Sequence, residues 1–276
     1  VVQIHAPFEK QCNAFSRIFG GTRFVNPNLS CESVGNRRFP VQIQGVRTNS
    51  LNAKFMTITF QDRPSEVRNH LCLGVLHLLQ RELTPVIREL SKFPSIIIAS
   101  AFPYFLNVKP LLVSLHIESF DDPVVFAANV KTALNAAKVG LAPTSISAGS
   151  PSCKLISRVI SPKAMPFKVN GLCEPIVFRN RFPRILGLTN YALVDFEFSI
   201  TPIRNSQKAL CLARLWVYQD ELNRVVARIK QQGLRLGNAS QNFTFSHPRS
   251  YFVTYQSIAN PLAFALKSSK VIQGLQ

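Results

Sequence analysis

Acidic side chains are scarce in this chain: 14 Asp and Glu stand against 32 Lys and Arg, a formal net charge of +18 over 276 residues. Solubility needs far less, so the imbalance points to a polyanionic partner. Glycine is scarce too, at 12 residues. No Gly-rich phosphate loop, Gly-x-Ser-x-Gly elbow or Ser/His/Asp arrangement occurs. Cys-x-x-Cys and Cys/His clusters with metal-ligand spacing are missing as well. The expectation is therefore a protein without catalysis, cofactor or metal. Long apolar runs are lacking: the most apolar stretch, Phe93 to Phe120, is interrupted by Pro94, Pro103, Lys109 and Pro110, which excludes a membrane span there. What hydrophobic content there is, 46% with 21 Phe, excludes a disordered chain.

A repeat is present. Leu71-Cys72-Leu73-x-x-Leu76 and Gln80-x-Glu82-Leu83 recur as Leu210-Cys211-Leu212-x-x-Leu215 and Gln219-x-Glu221-Leu222. Before this block, Cys12-x-x-x-Ser16-Arg17 matches Cys153-x-x-x-Ser157-Arg158, and Val25-Asn26 with Cys31-Glu32 matches Val169-Asn170 with Cys173-Glu174. Arg38-Phe39-Pro40 matches Arg181-Phe182-Pro183. After it, Pro110 and Ser119-x-x-x-Pro123-x-x-Phe126-Ala127 match Pro248 and Ser257-x-x-x-Pro261-x-x-Phe264-Ala265. Such agreement over a long period marks a duplicated domain rather than a solenoid unit. Residues 139–152 read VGLAPTSISAGSPS, a Ser/Pro/Gly-rich linker without charge. The expected organisation is repeat domain 1 over residues 1–138, that linker, and repeat domain 2 over residues 153–276.

The fold class expected is α+β. Each unit of about 130 residues runs approximately αββαββα, and the two similar domains sit about a pseudo-twofold axis. Val41-x-Ile43 and Phe55-x-Thr57-Ile58-x-Phe60 read as paired strands, and Phe196, Phe198 and Ile200 alternate with Asp195, Glu197 and Ser199. A long helix is predicted to open at Pro64-Ser65, with positions 72, 76, 79, 83, 87 and 90 as its apolar stripe. The β-prone run Leu210–Tyr218 leaves a strand-first alternative. Leu111–Glu118 and Tyr251–Gln256 read as strands, and Asp122-Pro123 and Asn260-Pro261 as the starts of final helices.

Cysteine usage is duplicated: Cys12, Cys31 and Cys72 correspond to Cys153, Cys173 and Cys211. Three cysteines cannot all pair within one domain, so buried reduced thiols and an intracellular, reducing compartment are expected, the mitochondrial matrix being one. On that reading the sequons at Asn28, Asn238 and Asn242 are accidental. The pair His70 and His77 has no counterpart in the second copy, where Ala209 and Trp216 stand, which makes a metal site there unsupported.

Basic clusters carry the functional expectation. Residues 1–141 hold 15 basic and 9 acidic side chains, residues 142–276 hold 17 and 5. The nucleic-acid-binding candidates are the duplicated Arg17 and Arg158, then Arg37, Arg38 and Arg47 in copy one. Copy two offers Arg179, Arg181 and Arg184, Arg204 and Lys208, and Arg224, Arg228, Lys230 and Arg235. Glu32/Glu174 and Glu82/Glu221 are the duplicated carboxylates, suited to an ion pair or a helix end within each domain. The duplicated αββαββα order resembles the saddle of LAGLIDADG homing endonucleases. That family's metal-binding acid would fall near Ile18-Phe19-Gly20-Gly21 and Val159-Ile160-Ser161-Pro162, which hold no carboxylate, so cleavage is not carried over. The expected function is a non-catalytic RNA-binding component of a ribonucleoprotein, such as one associated with a mitochondrial ribosome. DNA is the other nucleic acid in view, and protein neighbours in a larger assembly are expected. The alternatives are a viral capsid or nucleocapsid subunit and a duplicated-saddle nuclease or maturase lacking its metal-binding acids.

Overall fold

The computed structural model describes residues 6–25, 30–61 and 68–275. Asn26, Asn28 and the Pro64-Ser65 helix start fall outside them. The first half runs α1 (Ala6–Phe19), β1 (Thr22–Val25), β2 (Ser30–Arg37), β3 (Val41–Ile43), β4 (Val46–Thr48), α2 (Leu51–Lys54), β5 (Phe55–Gln61), β6 (His70–Leu79), α3 (Gln80–Leu90), β7 (Ile96–Phe102), β8 (Val108–Lys109), β9 (Leu112–Asp121) and α4 (Pro123–Ala136). Next come β10 (Leu141–Ala142), β11 (Ile146–Ala148), α5 (Pro151–Ile160), β12 (Met165–Val169), β13 (Leu172–Phe178), β14 (Arg184–Ile185) and β15 (Leu188–Thr189). The chain closes with β16 (Asp195–Pro202), β17 (Ala209–Tyr218), α6 (Gln219–Gln231), β18 (Arg235–Gln241), β19 (Ser246–His247), β20 (Ser250–Ala259) and α7 (Pro261–Ile272).

This is a mixed α/β fold with seven helices among the described residues and antiparallel sheets. Sheet 1 has the order β1-β2-β5-β6-β9-β7, with β10 also on β2; sheet 2 has the order β11-β12-β13-β16-β17-β20-β18. Two three-stranded ribbons, β4-β3-β8 and β15-β14-β19, stand beside them. Helices α1, α3 and α4 cover one face of sheet 1 through Phe15, Val86, Phe126 and Val130 against Ile58, Leu76 and Ile117. Helices α5, α6 and α7 cover sheet 2 through Ile156, Val225 and Phe264 against Phe198, Leu215 and Val253. The remaining faces pack on each other: Leu71, Leu73 and Tyr104 share one core with Leu212, Trp216 and Phe252. The result is four layers, helices–sheet–sheet–helices. Each large apolar side chain buried in these cores stabilises the fold by about 1.5–3 kcal/mol.

Capping fixes the final helices as the sequence predicts. Asp122 Oδ1 accepts from the Val124 and Val125 N–H groups at 2.8 and 3.2 Å, and Asn260 Oδ1 accepts from Leu262 and Ala263 at 3.0 and 3.3 Å. Pro follows each cap at a position whose N–H would be unpaired anyway.

The long helix is corrected. Residues 70–79 and 209–218 are strands buried on both faces, and only residues 80–90 and 219–231 are helical. The stripe 72, 76, 79, 83, 87 and 90 spans two elements. A strand covered on both sides is apolar throughout, so its period of two disappears. In each half, four strands of the main sheet therefore precede the middle helix, rather than two. Strands β3 and β5 form as read but do not pair: β3 joins β4 and β8, and β5 joins β2 and β6. The Ser/Pro/Gly-rich segment is tied down on both sides. β10 pairs with β2 and β11 with β12, and Thr144 exchanges hydrogen bonds with Thr22 through its backbone.

The halves also exchange straps. Tyr104 O of the first half accepts from Thr254 Oγ1, and the Leu106 backbone makes two bonds to the Gln256 amide, at 2.7 and 3.1 Å. In return, Asn242 O accepts from Ser100 Oγ at 2.7 Å, and the Phe245 N–H donates to Glu118 Oε1 at 3.2 Å. Gly237 makes the first strap fit: a Cβ there would stand 2.5 Å from Tyr104 O.

Candidate functional site

Strands alternate their side chains between faces, so Ser114, His116 and Glu118 of β9 share one face, as do Asp195, Glu197 and Ser199 of β16. That face is the buried one between the sheets. Asp195 and Glu197 from β16 meet Arg214 from β17, and Glu197 lies directly opposite Arg214 in the register. Arg214 Nη2 is 2.5 Å from Glu197 Oε1 and 3.3 Å from Asp195 Oδ1, with its guanidinium 4.5 Å from the Phe252 ring centroid. Burial lifts both carboxylates above their ordinary range, Glu197 to about 8, against the pull of Arg214.

Sheet 1 supplies the other end of the cluster. Ser100 Oγ donates to Asn242 O, so its oxygen accepts from His116 Nδ1 at 2.7 Å. His116 Nε2, left as the acceptor, takes the Tyr104 hydroxyl proton at 2.8 Å. Tyr104 in turn is a hydrogen-bond partner of Arg214. The polar chain thus runs from a backbone carbonyl to two carboxylates with both His116 nitrogens engaged. His77 Nδ1 is 2.6 Å from Ser114 Oγ, and the His77 ring meets Tyr104 edge-on at 4.9 Å. Burial holds both imidazoles neutral, His77 down to about 3.

A crevice reaches Asp195 and Glu197 from the sheet edges. Its walls are Phe24, Val34, Leu51, Phe167, Ile176 and Leu193, and its floor is Glu32, Asp195 and Glu197; about 40 Å³ is wide enough for water. Phe24 and Phe167, from β1 and β12, meet edge-on at 5.7 Å. Glu174, at the repeat position of Glu32, accepts from the Leu51 N–H at 3.1 Å and from Ser199 Oγ at 2.8 Å.

The other duplicated carboxylates are structural. Arg37 pairs with both oxygens of Glu82 at 2.9 and 2.7 Å and donates to His77 O; Arg179 pairs with Glu221 at 2.9 and 2.6 Å and donates to Trp216 O. Glu82 and Glu221 also accept from Leu79 and Tyr218 N–H, which closes the start of α3 and α6. Arg37 and Arg179 are 3% and 2% exposed, so neither is available to a nucleic acid. Their equivalence stands beside the sequence pairing of Arg38 with Arg181, with Asn180 as a one-residue insertion between the two pairs.

The other candidate arginines and lysines do not form one surface. Arg17 ends α1 and Arg158 ends α5, in the two opposite outer layers. Arg47 and Arg184 lie on the two separate ribbons. Arg181 is paired with Asp220 at 2.9 Å, and Arg228 donates to Val271 O and Gln273 O at the end of α7. Arg38, Arg204, Lys208, Arg224, Lys230 and Arg235 are exposed, with Arg235 beside Lys109 and Gln42 in a shallow groove. The cysteine reading is corrected as well: Cys12–Cys31 and Cys153–Cys173 are disulfides, and only Cys72 and Cys211 are free. His70 and His77 lie on a strand, with His70 Nδ1 at 3.0 Å from Gln61 O. Among the described residues no group of three or more His, Cys, Asp or Glu could hold a metal, and no helix is long and apolar enough to cross a membrane. Sequence reading missed Tyr104, His116, Asp195, Glu197 and Arg214 as a set. The available signal was a polar residue at alternate positions within otherwise apolar strands.

A family described as a domain of unknown function (DUF1259) matches residues 13–136 and 177–273, in two segments. No curated protein matches the chain. A trimeric bacterial microcompartment shell protein, PduB, is similar at 12% identity over 87% of this chain and 85% of that one, with a TM-score of 0.20; a score that low carries no argument about the fold. Neither comparison names a nucleic acid. The expected RNA-binding ribonucleoprotein component is corrected: the family match carries no such role, and its candidate arginines are buried in ion pairs at Arg37 and Arg179 and otherwise spread over both outer layers and two ribbons. The mitochondrial-ribosome, capsid and nuclease forms of that expectation fall with it. The saddle resemblance also fails on architecture, since both sheets are covered on both faces.

Proposed function

The chain belongs to the DUF1259 family of domains of unknown function, and from that premise we propose a non-catalytic binding protein whose inter-sheet crevice holds a small organic cation. The observation that carries this reading is the floor of the crevice. The buried carboxyls of Asp195 and Glu197 line it between apolar walls, and among the described residues both meet the same guanidinium, Arg214. Burial keeps Glu197 protonated, and a protonated amine entering the crevice would displace that proton and pair with the carboxylate beside Asp195. The water-sized space takes a head group of about three non-hydrogen atoms, and the apolar walls suit an alkyl body. Non-catalysis is supported by His116 and Tyr104, whose polar atoms are spent on internal partners.

The organisation belongs to the same proposal: domains over residues 1–138 and 153–276, joined by residues 139–152 and related by a pseudo-twofold axis. Equivalent disulfides, Arg–Glu clamps and straps in the two halves support it. The two disulfides favour an oxidising compartment in place of the reducing one.

Trp216 is the single tryptophan and lies two residues from Arg214 on the same face of β17, so its fluorescence reports on the site. Titration with ammonium and short alkylammonium salts is expected to give a saturable change, and Glu197→Gln to weaken it about tenfold, the loss of one buried charge interaction. A flat titration across the series, or an unchanged affinity in Glu197→Gln, would overturn the proposal.

A further inference from the structure

The outer helical layer of the second half differs from its counterpart at repeated positions. α7 lies between α5 and α6, and α5 and α7 carry Lys154, Arg158, Lys267 and Lys270 without one acidic residue. Among those cations stand three leucines in water: Leu155 at 53%, Leu262 at 39% and Leu266 at 58% exposure. Following the repeat, the same positions of the first half are Ala14, Val124 and Ala128, and Lys154 and Lys270 become Asn13 and Thr132. A helical layer on this fold therefore does not require leucine or lysine at these positions.

We propose that the α5–α7 face is a peripheral docking surface for an anionic lipid bilayer. Two features of the face select this occupant. Exposed leucines between cations match an interface that is apolar within and anionic at its surface. A soluble polyanion would use the cations and leave the leucines idle, and a second copy of this chain would bring basic residues against basic residues. No helix among the described residues can span a bilayer, so attachment here is lateral and reversible. The face lies on the opposite side of sheet 2 from the crevice, and the inference stands without the amine-binding proposal.

The test is co-sedimentation of the full chain with phosphatidylcholine vesicles and with vesicles containing phosphatidylglycerol. Binding is expected only to the second kind, weakening as salt rises. The double variant Leu155→Ser, Leu266→Ser is expected to bind about tenfold more weakly, and so is Lys267→Ala, Lys270→Ala. The mirror variant Ala14→Ser, Ala128→Ser should bind as the parent does. All these positions are at least partly exposed, and an unchanged melting temperature verifies the fold of each variant. Equal binding to both vesicles, no binding, or leucine variants that bind normally would each overturn the proposal. Dextran sulfate bound equally by parent and leucine variants would assign the face to a soluble polyanion. A dimer abolished by the leucine variant would assign it to a second copy.

Discussion

The inner faces of the two sheets differ far more than the outer ones. Outside, both halves keep a disulfide, a buried free cysteine, and an arginine clamped to a helix-capping glutamate. Inside, His77, His116 and Glu118 of sheet 1 stand where sheet 2 has Trp216, Thr254 and Gln256. Conversely, Asp195, Glu197 and Arg214 of sheet 2 stand where sheet 1 has Phe55, Thr57 and Val75. The difference teaches that the scaffold exists twice and the polar site once. One half supplies the ions, and the other supplies the imidazoles and the phenol that meet them.

Three experiments would break or sharpen this comparison. The largest effect is expected at the clamps. Arg37→Met leaves Glu82 without its cation, and Arg179→Met leaves Glu221 with only Arg181 at 3.7 Å, each at a cost of about 3–5 kcal/mol. Arg179 also donates twice to Leu275 O, so its loss should cost about 1 kcal/mol more in urea unfolding. An equal or larger loss at Arg37 would show that the extra bonds contribute nothing. Next come the disulfides, whose cysteines are 19 and 20 residues apart. Replacing either pair by alanine should cost about 3 kcal/mol, and the two costs should agree. Unequal costs would reveal a scaffold that is not equivalent in its two copies.

The smallest effect is a slope. Burial lifts Glu197 from 4.5 to about 8, so between those values the folded state holds a proton that the unfolded chain has released. Its contribution to stability is complete below about pH 4.5 and is lost as pH rises through 8. Glu197→Gln should therefore flatten the decline of melting temperature with rising pH, whereas Thr57→Val, at the matching position of sheet 1, should leave it. An undiminished decline in Glu197→Gln would exclude this carboxyl as its source.

Local chemistry was legible. Asp122-Pro123 and Asn260-Pro261 start helices because a cap and a proline act within one turn, and β9 and β20 lie close to where their apolar runs placed them. The repeat was legible as far as the two matched segments, 13–136 and 177–273, reach. Elements whose environment comes from distant residues were not. β6 read as helix because burial on both faces removes its alternation, and in β17 the strand-first alternative, carried by its β-prone residues, was the right one. Asp195, Glu197 and Ser199 were legible as a strand face and not as a buried site, because alternation shows that two faces differ, not which one is wet. The disulfides escaped because spacing in the chain does not bring Cys12 and Cys31 together; folding does. Net charge indicated how many cations there are without indicating that they are dispersed over both outer layers.

The crossing straps and the divided polar site together mean that neither half could rebuild the site by pairing with a second copy of itself. Two second halves facing each other would confine a pair of Arg214 groups with four carboxylates and lose Tyr104 and His116 as their partners. Two first halves would set His77 and His116 against their own duplicates, with no ion for Tyr104 to meet. Each half supplies polar groups that the other lacks, so separately expressed halves should regain the site only by pairing with each other.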